Sequence, residues 1–180
     1  MGAVELIDES ADLAFVTTDA QLLHFPASSV RPQGRSGGGM AGIKLAPRAS
    51  VVFFGAVHPA TDDVVTIAGA SSSLPGTEAG SAKVTPLAEY PAKGRATGGV
   101  RAHRFLKGED TLLLAAIGPR PVVATAASGS PVDLPPTDGR RDGSGTPLAQ
   151  PVAMLAGRAG PVAAPPPAVE VDAGGDTLFD

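Results

Sequence analysis

Between Lys83 and Lys107 the chain carries Lys83, Lys93, Arg95, Arg101, Arg104 and Lys107 against a single acid, Glu89. Such a run suits a polyanion. Each Lys or Arg that neutralises a phosphate releases condensed counterions, which is the main source of affinity for nucleic acid. The ends of the chain hide this stretch. Residues 1–12 sum to −4 and residues 149–180 to −3, whereas 13–148 sum to +3, giving the overall −4. Arg35 and Arg95 each follow a glycine, Gly34 and Gly94. Glycine lets backbone N–H groups approach a phosphate closely. Arg101, Arg104 and Lys107 recur at a spacing of three and can project along one edge, with Lys44 matching Arg104 in charge. No base-reading helix is visible, so such binding would rest on phosphate contacts and DNA deformability.

Other chemistries find little support. There is no cysteine, which excludes a disulfide scaffold, a thiolate zinc site and a cysteine nucleophile. His24, His58 and His103 make no metal-ligand spacing. Ser71-Ser72-Ser73 lacks the Gly-x-Ser-x-Gly elbow of a serine hydrolase, and Gly37-Gly38-Gly39 lacks the Gly-Lys-Ser/Thr end of a phosphate-binding loop. The pairs Asp62-Asp63 and Glu109-Asp110 read as turns flanking strands. Arg140 and Arg141 stand between Asp138 and Asp142, where local charge pairing is the simpler reading. Arg35 and Arg95 also admit a structural role, as donors to loop carbonyls.

The elements that must hold these cations are strands. Leu13–Val16, Gln21–Phe25, Ser50–Phe54, Asp63–Ile67, Thr111–Leu114 and Pro121–Thr125 are short, apolar and bounded by Gly, Pro, Asp or Ser. Their continuous apolar character predicts strands covered on both faces. With 23 Gly and 18 Pro, long helices are not expected. No apolar run approaches the roughly 18 residues of a membrane span, and the acidic start lacks the basic residues of a secretory signal. A cytoplasmic location is the expectation.

The chain also repeats. Gly34-Arg35-Ser36-Gly37-Gly38-Gly39-Met40 lies 60 residues before Gly94-Arg95-Ala96-Thr97-Gly98-Gly99-Val100, and Val51–Phe54 falls on Thr111–Leu114 at the same offset. With a small gap, Phe25-Pro26-Ala27 is matched to Tyr90-Pro91-Ala92. A weaker third copy sets Phe15–Pro26 on Ala124–Pro135, followed by Gly139-Arg140-Arg141-Asp142-Gly143. This gives an acidic N-terminal segment at 1–12, a candidate truncated strand. Three units follow, at 13–57, 63–117 and 121–156, together a body of 13–157. A Pro/Ala-rich acidic tail at 158–180 is read as disordered. All-β repeats of this size stack as blades or as a solenoid.

The Gly34–Leu45 segment resembles the blade repeat of the C-terminal domain found in the A subunits of DNA gyrase and topoisomerase IV, approximately G-R-x-x-x-G-V-x-G-I-x-L. Gly94–Phe105, followed by Lys107-Gly108-Glu109-Asp110-Thr111-Leu112-Leu113, is similar to it as well. Phe15–Phe25 resembles the family's opening hairpin, and the likeness covers about 13–150. It implies an all-β fold of propeller-like β-pinwheel blades, here about three in an incomplete disc with the disordered tail. It implies a basic rim that binds and bends duplex DNA for strand passage by an ATP-dependent type II DNA topoisomerase. Arg35, Lys44, Lys93, Arg95, Arg101, Arg104 and Lys107 would supply that rim. Partners would be double-stranded DNA, the remainder of the topoisomerase A subunit, and the B subunit, with no membrane. The catalytic tyrosine would lie in another domain, so no activity is expected from the chain alone. No cofactor is expected in it, and ATP and Mg2+ would serve the parent enzyme in its other domains or its partner. The gyrase signature Q-R-R-G-G-K-G is matched only in part by Gln33-Gly34-Arg35-Ser36-Gly37-Gly38-Gly39, which lacks the second Arg and the Lys. A chain of topoisomerase IV type or a degenerate gyrase blade fits better than a wrapping gyrase. A β-repeat protein-interaction module without a DNA role is the alternative. The acidic tail is further expected to compete with DNA for the rim.

Overall fold

The computed structural model describes residues 10–73 and 77–157. Most of the acidic N-terminal segment and the tail read as disordered lie outside the described residues. Among the described residues eleven strands run in chain order: β1 (Asp12–Thr17), β2 (Gln21–Pro26), β3 (Val51–Val57), β4 (Asp62–Gly69), β5 (Ser81–Pro86), β6 (Val100–Arg101), β7 (Thr111–Pro119), β8 (Val123–Thr125), β9 (Pro131–Val132), β10 (Thr146–Pro147) and β11 (Met154–Ala156). They form three sheets, ordered β3-β1-β2-β6, β10-β5-β4-β7 and β11-β8-β9. Every strand pairing within the three sheets is antiparallel.

The predicted two-sided burial is clearest in β4, where every position from Asp62 to Gly69 is buried. The middle sheet is sandwiched. Val64, Ala68, Leu112 and Ile117 pack with Val16, Leu22 and Val57 of the first sheet. Val65, Ile67, Ala82 and Val84 pack with Ala124, Val132 and Val152 on the other side. A buried Val, Leu or Ile contributes roughly 1.5–3 kcal/mol, so these two seams are what stack the sheets. The edge strands β3, β7 and β11 pack in succession along one side of the stack. β6 and β10 are the opposite edges of the first two sheets.

The repeat is written into the backbone. Pro26 and Pro86 each precede a three-residue 3-10 turn, with φ, ψ of −55°, 131° and −58°, 136°. The equivalent of Pro26 is therefore Pro86, without a gap, and Tyr90 stands where Val30 does rather than where Phe25 does. Val16/Thr17 and Ile67/Ala68 each carry a shift of register against the neighbouring long strand. Ala124 faces Val132 as Phe15 faces Leu23, the first and third units standing 109 residues apart.

The sheets do not follow the sequence units. The strand after the second Gly-Arg loop, β6, leaves its own unit and pairs with β2 of the first sheet. The strand after the third loop, β10, pairs with β5 of the second. Each of these loops therefore stitches its blade to the one before. Gly99 makes this possible. Its φ is +77°, and an added Cβ would lie 2.7 Å from the carbonyl carbon of Leu22 and closer still to the oxygen. Gly39, one repeat earlier, has a φ of +78° with open space around it. No strand forms at Met40–Ala41.

Candidate nucleic-acid interface

The Gly-Arg loops are positioned by main-chain bonds that recur from one blade to the next. Lys93 N–H donates to His24 O at 3.1 Å, and Asp138 N–H donates to Val84 O at 2.8 Å. Both bonds hang a loop on the outer side of the second strand of the preceding blade. A second bond joins consecutive loops. Lys44 N–H donates to Thr97 O at 2.9 Å, and Arg104 N–H donates to Gly143 O at 2.9 Å. Lys44 and Arg104 are repeat equivalents. Each is thus fastened to the Gly-Arg loop of the following blade.

The predicted cations are accordingly sorted into groups. Lys44 and Arg95 come together at the first junction, where Arg95 Nη1 also donates to Ala41 O at 3.3 Å. That bond gives Arg95 the carbonyl-holding role read as its alternative, and leaves it half-buried. Lys93 is exposed at the start of the same loop. Arg101 is exposed on β6 opposite Gln21. Arg104 belongs to the second junction. Lys107 is exposed in the tight turn before β7, where Leu106 N–H donates to Glu109 Oε2 at 2.7 Å. It stands between β6 and β7. Arg35 is exposed in the first loop, which is closed by Gly39 N–H donating to Gln33 Oε1 at 3.0 Å.

Two features escape a reading by sequence. Lys83 is only 3% exposed and is no rim cation. Its ammonium donates to Arg140 O at 3.0 Å and Arg141 O at 2.6 Å, and lies 3.5 Å from Tyr90 Oη. Burial, aided by Arg141, pulls its pKa down to about 8 against the opposing pull of Asp138 and Asp142. The second feature is Arg140 and Arg141 themselves. Asp138 Oδ1 accepts the Arg140 backbone N–H at 3.0 Å, not its guanidinium. Among the described residues neither guanidinium is in a salt bridge. The position of Lys83 between Ala82 and Val84 in a strand is the available signal for the first; nothing in the sequence signals the second.

The histidines are built into the framework. His24 Nδ1 lies 2.6 Å from Asp12 Oδ2, and its Nε2 lies 2.9 Å from Tyr90 O. His103 Nε2 accepts Gly145 N–H at 3.1 Å, while Nδ1 lies 2.9 Å from Thr66 Oγ1. Burial lowers the His103 pKa to about 4, with Lys83 adding to the effect and Glu109 opposing it. A cleft of about 570 Å³ is lined by Val52, Ile67, Leu112, Leu114 and Val152, with Glu78 the one carboxylate among its described lining residues. Among those residues there is no paired acid and base.

Stacked antiparallel blades joined by an exchanged strand define a propeller-like β-repeat protein. Comparison with known proteins gives the family. The chain matches the family described as DNA gyrase C-terminal domain, beta-propeller, over residues 11–58 and 76–117, half of its length. It belongs to that family. It is 41% identical over 112 residues to the topoisomerase protein TopoM of Mycolicibacterium smegmatis, covering 62% of this chain and 15% of that protein. It is 32% identical over 99 residues to the A subunit of DNA gyrase from Staphylococcus aureus, covering 55% of this chain and 10% of that one. The chain therefore spans only a small part of the curated relatives it matches. Its fold is similar to the crystal structure of the C-terminal domain of DNA topoisomerase IV, with a TM-score of 0.63 and 16% identity, over 84% of this chain and 51% of that chain.

Proposed function

We propose that this chain is a DNA-binding and DNA-bending C-terminal region of the A subunit of an ATP-dependent type II DNA topoisomerase. It would hold duplex DNA by its backbone and present it for strand passage. The observation that carries this reading is the repeated loop junction, which sets Lys44 beside the Arg95 loop and Arg104 beside the Arg140 loop. Cations brought together at regular junctions suit the regularly spaced phosphates of a bent duplex. Arg35, Lys93, Arg101 and Lys107 extend the same charge. The remainder of the A subunit and the B subunit are the proposed partners. ATP, Mg2+ and the catalytic tyrosine would be supplied by those other parts, in the cytoplasm.

The test is equilibrium binding to a fluorescent duplex of about 40 base pairs across a salt series. Four to five neutralised phosphates give a slope of log K against log salt near −4. Replacing Arg101, Arg104 and Lys107 together by Glu should abolish the binding. A folded chain indifferent to duplex DNA would refute the reading and favour a protein-interaction module.

A further inference from the structure

The third Gly-Arg loop carries a side-chain anchor that the first two lack. Asp138 N–H fastens it to Val84 on β5, and Arg104 N–H fastens Gly143. Between these points the Lys83 ammonium reaches out of the core and binds the carbonyls of Arg140 and Arg141. Arg140 O also accepts Gly143 N–H at 3.1 Å. A buried ammonium needs such acceptors, because an unpaired charge in the interior is strongly unfavourable. Turning two successive carbonyls inward fixes the peptide planes of Arg140 and Arg141. The Arg140 side chain is left exposed, that of Arg141 half-buried, and among the described residues neither is in a salt bridge with a carboxylate. The equivalent position in β2 is Leu23, which packs with Leu13 and Phe25 and offers no donor. The device is thus particular to the second blade.

We propose that Arg104, Arg140 and Arg141 form one composite phosphate-binding cluster for duplex DNA, with buried Lys83 as its positioning residue. This rests on the DNA-binding reading above. It gives that interface an anchor formed by two loops from different blades. Lys83 touches no phosphate; it acts through the loop it holds.

The experiment compares the full chain with R140Q/R141Q, K83M and the triple variant in the same duplex titration. Removing two phosphate contacts should flatten the salt slope by about 2, at roughly 0.9 per phosphate. K83M should flatten it as well, and should change nothing further in the R140Q/R141Q background, although it lowers stability in both. Binding by the wild-type chain should also weaken between pH 7 and 9, and this dependence should vanish in R140Q/R141Q. The groups facing Lys83 are Tyr90, Asp138, Asp142, Arg141 and His103. His103 is held near 4 and Tyr90 is pushed up by burial, which leaves Lys83 to titrate in that window. The wild-type pH series decides the role of Lys83 even if K83M fails to fold. A slope unchanged by R140Q/R141Q overturns the cluster while leaving DNA binding intact. Affinity flat across the pH range in which an NMR titration shows Lys83 losing its proton overturns the role of Lys83. Absence of salt-dependent binding by the wild-type chain overturns the cluster and the underlying reading together.

Discussion

Gly39 and Gly99 offer a controlled comparison of the same substitution in the same backbone conformation. Both are Gly at φ near +78° and +77°, and they are repeat equivalents. Alanine in the left-handed region costs roughly 1–2 kcal/mol at either site. At Gly39 nothing lies within 4 Å of the new Cβ, so the cost ends there. At Gly99 the Cβ meets the Leu22 carbonyl and comes within 3.1 Å of Leu23 N. Those atoms are backbone in a paired strand and cannot swing aside, so β6 must lift from β2. The Leu22–Val100 and Gln21–Arg101 pairs go with it, as does the Ala102 N–H to Ala20 O bond of 2.8 Å. At about 1 kcal/mol per hydrogen bond, G99A should cost roughly 3–5 kcal/mol against roughly 1–2 for G39A. Such a loss is a large part of a typical domain stability of about 5–15 kcal/mol. Urea unfolding followed by circular dichroism reads the difference directly. The same variant displaces Arg101, so DNA affinity in urea-free buffer should fall in G99A and hold in G39A. Equal costs for the two variants, within about 0.5 kcal/mol, would mean that β6 is not inserted beside β2, and the stitched-blade account would fail.

Three other perturbations test the framework around the interface. His103 is kept neutral by burial, and its Nε2 already accepts the N–H of Gly145. The folded-state pKa of about 4 lies below the ordinary 6.5, so the unfolded chain binds the extra proton first. Stability should therefore fall as pH drops from 6.5 toward 4, and H103Q should flatten the decline between pH 6.5 and 5 in urea titrations. Asp63 is buried, and its Oδ1 accepts Arg120 Nε–H at 2.7 Å. R120A should cost roughly 1–3 kcal/mol by stranding that carboxylate, and D63A/R120A should cost less than the sum of the single changes; strict additivity would show that the pair does not interact. The purified chain should neither relax nor decatenate plasmid DNA with ATP and Mg2+ present, since the proposed function is DNA binding alone; turnover by the chain would sink it.

Six strands, β1 to β4, β7 and β8, are legible because each announces itself by composition. Val64-Val65-Thr66-Ile67 and Leu112-Leu113-Leu114 are β-rich runs between turn residues, and they are β4 and β7. The repeat is legible because Gly39 and Gly99 both need a positive φ, and a left-handed position selects glycine whatever its neighbours. The exchange of β6 and β10 is not legible. Each is two residues long, and Val100-Arg101 and Thr146-Pro147 carry no alternation to mark a strand. Their pairing is decided by the edge they meet, which is a property of the stack. Lys83 joins the basic run in sequence but not in space for a similar reason. Charge counting along the chain assigns every cation to solvent, while a strand sends alternate residues to opposite faces. Lys83 falls on the face turned toward Tyr90 and Ala102. Arg140 and Arg141 look neutralised because Asp138 and Asp142 flank them. The carboxylate that could have neutralised Arg140 instead closes a turn on its backbone N–H.

The junction bonds tie the proposed interface to blade order. A cluster formed by Arg104 of one loop and Arg140 of the next exists only while Arg104 N–H holds Gly143 O and β10 holds β5. Losing the third sheet should therefore remove more DNA affinity than the charges it carries. Its strands contribute no cation, and its loop contributes Arg140 and Arg141. Detaching that sheet by destroying its seam with the second, for example with V132D, separates the two explanations. Val132 is buried against Val65, Ile67 and Val84, and a carboxylate there costs several kcal/mol by desolvation. Every cation is retained in V132D. If affinity depends on charge alone, only the one added negative charge should register, a change of about one in the salt slope at most. If it depends on the junction, the slope should fall by as much as in R140Q/R141Q, while the first two sheets keep their urea transition.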